Sequence, residues 1–175
     1  MKKALVLLFV SVLISNQLIA QTKEEKKTLK KEQKMQKANE EYNLMKELIN
    51  SKAYVFDATW ISTSRGRRIN IAGGSNTITI AKDSTKAALQ FFGEVTSVSF
   101  NGGEGVEFDN VINNYQVKFD DSKRRIHVYY KVKNKNEIYD IHLSINKTGY
   151  SYVDVYSNNK SSVTYDGNVT AIKVE

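Results

Sequence analysis

The chain has 175 residues with no Cys and no Pro, and 26 Lys and Arg against 19 Asp and Glu give it a formal net charge of +7. Without cysteine there is no disulfide framework, no thiolate nucleophile, no cysteine metal site and no cysteine to carry a lipid. The charge is uneven: Lys2 and Lys3 open the chain, residues 22–52 hold nine Lys against six Glu, and residues 53–175 hold 15 Lys and Arg against 13 Asp and Glu. A body this close to neutrality is a poor match for a polyphosphate, so no nucleic-acid partner is expected.

Met1-Lys2-Lys3 is a short positive segment, and residues 4–14 form an 11-residue apolar run broken only by Ser11. A more polar stretch, residues 15–20, ends in the small residue Ala20. That order is the layout of a secretory signal peptide. A spanning helix needs about 20 apolar residues, so cleavage after Ala20 is expected rather than retention as an anchor. The expected mature protein is exported, to the periplasm or the extracellular space. It does not span the membrane once the signal is gone, and it is long enough for one domain.

Residues 21–52 read as a charged helix. They contain no Gly or Pro and are rich in Lys, Glu, Gln, Leu and Met. Met35, Ala38, Tyr42, Met45 and Ile49 recur every three or four residues as a narrow apolar stripe. Two clear heptads are too few for a coiled coil, and packing on the protein's own sheet is the plainer expectation.

From residue 53 the period becomes two. Tyr54, Phe56, Ala58 and Trp60 fall on one strand face, Ile78 and Ile80 on another, and Tyr115, Val117 and Phe119 on a third. Ile126, Val128, Tyr130 and Val132 alternate with His127, Tyr129 and Lys131, and Val153 and Val155 alternate with Tyr152, Asp154 and Tyr156. Turn residues separate these runs at spacings too short for crossover helices, which predicts an antiparallel sheet over residues 53–175. The expected fold is mainly β: an antiparallel sandwich, or a small barrel-like meander, preceded by one N-terminal helix.

One hairpin fixes its own register. A tight turn at Lys135-Asn136 sets Val132 against Tyr139, Tyr130 against Ile141, Val128 against Leu143 and Ile126 against Ile145, all on one face. On the other face Lys131 meets Asp140 and Tyr129 meets His142. A slip by one residue would set a core face against a polar one.

The chemistry on offer is sparse. His127 and His142 are the only histidines, expected on the outer face as diagonal neighbours about 7 Å apart. A metal would need a third ligand; Asp140 and Asp154 are near, but at no recognisable spacing, so solvated strand residues are the plainer reading. No nucleophile-elbow sequence supplies a serine for a triad. Asn101-Gly102-Gly103-Glu104-Gly105 lacks the following helix of a phosphate cradle, and its acidic neighbours match no EF-hand loop. Arg65-Gly66-Arg67-Arg68 and Lys123-Arg124-Arg125 are basic clusters of the kind that guard strand edges. Three Asn-x-Ser/Thr patterns, beginning at Asn146, Asn159 and Asn168, read as turn chemistry.

Several stretches together resemble a bacterial family, domain of unknown function 4251. They are Phe56-Asp57-Ala58, Leu89-Gln90-Phe91-Phe92-Gly93, Gly102-Gly103-Glu104-Gly105-Val106-Glu107-Phe108, Tyr115 and Tyr165-Asp166-Gly167-Asn168-Val169, in order over about residues 40–172. The family usually has proline where this chain has Gln90. The resemblance implies an exported protein of this size and no established activity, ligand or catalytic residue.

The function these features favour is a non-enzymatic envelope protein that binds a small ligand or another envelope protein, with no cofactor, no metal and no catalytic residue. Trp60, Phe91, Phe92 and Tyr115 are the candidate ligand-binding aromatics. The competing class is a hydrolase using Asp and Glu carboxylates, although Asp120, Asp121, Asp140, Asp154 and Asp166 fall mostly in turns or on wet faces.

Overall fold

A computed structural model of the chain describes residues 2–95 and 105–172, with side chains from residue 24 onward. Helix α1 runs Lys2–Asn50 and crosses two compact units, residues 1–40 and residues 41–175. In the first unit every described side chain but Ala38 is exposed, Met35 included, as expected of a Lys- and Glu-rich stretch with few apolar residues. In the second unit the last turns bury Tyr42 and Ile49 and half-bury Met45 and Leu48. The packed part of the stripe therefore starts at Tyr42, later than its first apolar residue. The helix ends where Lys52 takes a left-handed φ of 50° and Ser51 Oγ donates to the Leu48 carbonyl at 2.7 Å. No helix among the described residues is long and apolar enough to cross a membrane.

Among the described residues nine strands follow: β1 (Ala53–Thr63), β2 (Arg68–Asn70), β3 (Thr77–Ala81), β4 (Ser84–Leu89), β5 (Val106–Asp120), β6 (Arg125–Asn134), β7 (Glu137–Asn146), β8 (Tyr150–Ser157) and β9 (Val163–Ala171). They pair antiparallel in sequence order from β3 to β9, and β1 joins β3 on one side and β9 on the other. The ring β1-β3-β4-β5-β6-β7-β8-β9 is thus a closed eight-stranded barrel, and β2 is an extra strand on the far half of β1. Closure removes the exposed edges of an open sheet. Of the two architectures expected, the barrel is the one formed.

The β6–β7 hairpin has the register its alternation requires, from Ile126↔Ile145 through Val128↔Leu143 to Val132↔Tyr139. Lys131 and Asp140 meet across it at 2.8 Å. Two other strands depart from a simple period of two. In β1 the partner shifts between Ala58↔Gly167 and Trp60↔Asp166, leaving Thr59 as a bulge. The alternation flips there: Tyr54, Phe56 and Ala58 point inward, then Ile61 does, and Trp60 is turned to the outer wall instead of the face it was expected to share. Gly167 allows this bend, since a Cβ there would lie 2.0 Å from the Asp57 carbonyl oxygen. In β5 the shift lies between Asn113↔Lys131 and Gln116↔Tyr129, with Asn114 at a φ of 54°. Val106 and Phe108 face inward before this bulge, Tyr115 and Val117 after it.

The barrel interior is full. A void wide enough for one water would leave its lining partly accessible, yet Tyr54, Phe56, Ile61, Ile78, Ile80, Ile126, Val128, Leu143, Ile145, Val153 and Tyr165 are all 0% exposed. An eight-stranded barrel is just wide enough for side chains to fill. The inward tyrosines settle their hydroxyls within the protein: Tyr54 with Tyr115 at 3.1 Å, Tyr130 with Thr85 at 3.4 Å, Tyr165 on the Gln90 carbonyl at 2.9 Å.

Both barrel ends are covered. Tyr42, Met45, Leu48 and Ile49 lie over one, where Lys46 pairs with Asp121 at 3.3 Å in the β5–β6 turn and Lys147 pairs with Glu41. At the other end residues 90–95 are pinned to the barrel rim, at Gln90 by the Tyr165 hydroxyl among other contacts. Asn76 Oδ1 accepts from the Gln90 amide at 2.8 Å, Ser161 Oγ accepts from the Glu94 amide at 2.8 Å, and Val95 bridges to Lys160. Lys160 is itself buried, 2.7 Å from Glu137.

Candidate functional site

With the interior filled, the accessible chemistry lies on the outer wall. The outward residues of β5 to β8 stand in rows set by the strand register. One row is Gln116, Tyr129, His142 and Asp154; its neighbour is Asn113, Lys131, Asp140 and Tyr156. Between them lies an open groove of about 410 Å³, lined by Asn114, Gln116, Tyr129, Lys131, Asp140, His142 and Tyr156 and floored by Tyr130 and Ile141. Its volume falls within the roughly 300–1,000 Å³ of small-molecule sites.

One wall of the groove is an ordered polar chain. Thr164 Oγ donates to Asp154 Oδ1 at 2.7 Å, and Asp154 Oδ2 stands 3.6 Å from His142 Nδ1. His142 Nε2 lies 3.2 Å from His127 Nδ1. The Asp154 carboxylate thus faces Nδ1 of His142, and the other ring nitrogen of His142 meets His127 nitrogen to nitrogen. Tyr129 stacks flat on His142, centroids 4.3 Å apart and 9° from parallel. The histidines are therefore in contact, much closer than a bare diagonal pair, because Asp154 and Tyr129 orient one of them toward the other. Burial first, then the charge of His142 and of Arg125, holds the His127 imidazole below its usual range, against a smaller opposing pull from Asp120.

This geometry is that of a shared proton. The two ring centroids are 5.5 Å apart, which is the N···N distance plus a ring radius on each side, so the facing nitrogens lie near the line joining the rings. Lone pairs on a bound metal must instead converge on a third point. Asp154 contacts the opposite nitrogen of His142 and acts as an orienting group. Among the described residues no group of three or more His, Asp or Glu is placed to hold a metal ion.

The four aromatics singled out from sequence do not converge. Trp60 lies on the outer wall of β1 beneath the Arg68 guanidinium, 4.9 Å from its centroid, where Arg68 also pairs with the buried Asp166. Phe91 and Phe92 lie on the strap after β4, Phe91 half-buried and Phe92 exposed, and line a second groove of about 410 Å³ with Gln90, Gly105 and Glu107. Tyr115 is turned inward, bonded to Tyr54 and stacked 6.3 Å from Tyr130; burial raises its pKa against the hydrogen bond from Tyr54, which lowers it. Residues 101–104 of the glycine-rich stretch lie outside the described residues. Asp109, near it in sequence, pairs with Lys86 at 3.4 Å. Sequence reasoning passed over Asn114, Gln116 and Tyr156, because only the β5 bulge brings them together. The usable signal was the switch of inward parity from Val106 and Phe108 to Tyr115 and Val117.

Comparison with known proteins agrees with this architecture. A crystal structure of a DUF4251 family protein from Bacteroides eggerthii DSM 20697 shares the fold, with a TM-score of 0.59 over 75% of this chain and 87% of that one, at 14% identity. No curated protein matches the chain. The family model for the domain of unknown function DUF4251 matches residues 36–169, from the last turns of α1 into β9. With most of its length so matched, this chain belongs to the DUF4251 family.

Proposed function

We propose that the protein is exported and acts as a binding domain that takes its ligand on the outer wall of the barrel, in the groove across β5 to β8. The observation that carries this reading is the packed interior: among the described residues the inward Tyr54, Phe56, Ile78, Ile80, Ile126 and Tyr165 are 0% exposed and leave no lumen between them for a ligand. The wall supplies what the lumen does not, an open groove with tyrosine faces and amide groups. Export rests on the order of charge, apolar run and small residue in residues 1–20.

The hydrolase alternative needs two available carboxylates roughly 5–10 Å apart across a cleft. The groove carboxylates are already engaged, Asp140 with Lys131 and Asp154 with Thr164 and His142.

Two experiments test the proposal. Mass spectrometry of the exported chain should find an N-terminus at or near Gln21; an intact Met1 on that form would defeat the export reading. Amide-shift mapping with a library of small neutral and charged fragments should perturb Gln116, Tyr129, His142 and Tyr156. Perturbations confined to inward residues such as Val128 and Leu143 would defeat the outer-wall reading.

A further inference from the structure

We infer that the groove takes an uncharged saccharide, seated at the β5 bulge on the rings of Tyr129 and Tyr156 and hydrogen-bonded by Asn114 and Gln116. The inference rests on the outer-wall reading and gives it a ligand class.

The bulge is the first observation. One extra residue in β5 sets Asn113 and Asn114 side by side, turns Tyr115 inward, and returns Gln116 to the outer face beside Tyr129. Asn113 is tied back to the Val111 carbonyl at 3.4 Å. The side-chain amides of Asn114 and Gln116 have no hydrogen-bond partner among the described residues, so both line the groove with donors and acceptors unspent. Asn114 holds a left-handed φ of 54° to do so. Glycine would meet that backbone need at lower cost, and asparagine adds an amide at the same place. Bulges are common beside binding sites because they re-aim side chains in this way.

Charge is the second observation. Lys131 and Asp140 neutralise each other at 2.8 Å, and His142 is taken up by Asp154 and His127. No unpaired charge on the groove wall would attract an ionic ligand or compensate its desolvation.

The aromatic faces are the third. Tyr156 is 52% exposed and Tyr129 is 40% exposed, and Tyr156 has no ring partner among the described residues. A tyrosine face is electron-rich and packs well against the slightly positive C–H groups on the flat side of a pyranose ring. Three strand spacings separate β5 from β8, about 14 Å, so the amides and Tyr156 sit at opposite ends of an extended ligand.

The test uses the mature chain with cellohexaose, maltohexaose, xylohexaose and N-acetylchitohexaose, read by calorimetry and amide-shift mapping. At least one should bind, with shifts at Asn114, Gln116, Tyr129 and Tyr156. Asn114→Gly keeps the left-handed backbone and removes the amide, and Tyr156→Ala removes an exposed ring. Each should weaken binding about tenfold with the melting temperature unchanged. Silence from all four sugars, or affinity untouched by both variants, would overturn the inference. Binding of a tyrosine-containing peptide in the groove with the sugars silent would refute the saccharide class and leave the outer-wall reading standing. Sugar shifts confined to Phe91 and Phe92 would refute both.

Discussion

Leu143 and His142 are adjacent in β7 and point to opposite faces, which makes them a sharp test of the barrel wall. Leu143 is 0% exposed and flanked by Val128 on β6 and Val153 on β8, each also 0% exposed. Leu→Ala in a core costs about 2–5 kcal/mol, depending on how far the site collapses. Here both flanking residues are short, β-branched and held by ladder hydrogen bonds, so collapse is small and the cost belongs in the upper half, about 3–5 kcal/mol. His142→Ala removes an outward ring, yet not an idle one: it loses the stack on Tyr129 and the contacts to Asp154 and His127. A stack of this kind is worth about 0.5–1.5 kcal/mol, so a cost near 1 kcal/mol is expected, above that of an ordinary surface site. Urea unfolding reads both, with m unchanged. At m of about 1–3 kcal/mol per molar, Leu143→Ala should lower the midpoint by at least about 1 M. A His142→Ala penalty equal to that of Leu143→Ala would refute the assignment of faces.

Three further outcomes follow from the same packing. Deleting residues 22–40 should leave the melting temperature nearly unchanged, whereas deleting 22–49 removes the buried Tyr42 and Ile49 and should lower it clearly; equal effects would contradict the packing boundary at Tyr42. Gly167→Ala sets a Cβ against the Asp57 carbonyl and should cost about 3 kcal/mol or more by chemical denaturation, because β1 and β9 cannot separate without opening the barrel. His127 has a folded pKa below its unfolded value near 6.5, so the unfolded chain binds more protons as the pH falls. Stability from this group is complete above about pH 6.5 and is lost as pH falls through the folded value. The groups facing it are His142, Arg125, Asp120 and Lys118, with Asp154 behind His142. Between pH 7.5 and 5 the urea midpoint should fall further for the native chain than for His127→Gln, and parallel declines would refute the assignment.

Much of the fold was legible because alternation, turn chemistry and charge pairing agree. In β6 and β7 the apolar residues match on one face while Lys131 and Asp140 match on the other, so only one register satisfies both. Bulges break that logic. A single extra residue at Thr59 sends Trp60 outward and Ile61 inward, and the reason sits more than a hundred residues away, in the close approach at Gly167. The candidate groove was hidden for the same cause: Asn114, Gln116 and Tyr156 acquire a common setting only when β5 bulges and β8 pairs beyond β7. The histidine pair was visible as a diagonal, but its 3.2 Å contact needs Asp154 from a third strand to turn one ring. Barrel closure was left open beside a sandwich because the β1–β9 pairing joins the two extremes of the domain, where no turn announces a partner.

The central claim is that the barrel has no lumen to offer and that binding belongs to its outer wall. Crystals of residues 21–175 under xenon pressure test it directly, since an apolar cavity of even modest size stays dry and takes up xenon. A filled barrel predicts no xenon among Tyr54, Ile80, Val128, Leu143 and Val153, all 0% exposed. Ordered xenon within that ring would contradict the claim and return the search for a ligand to the interior.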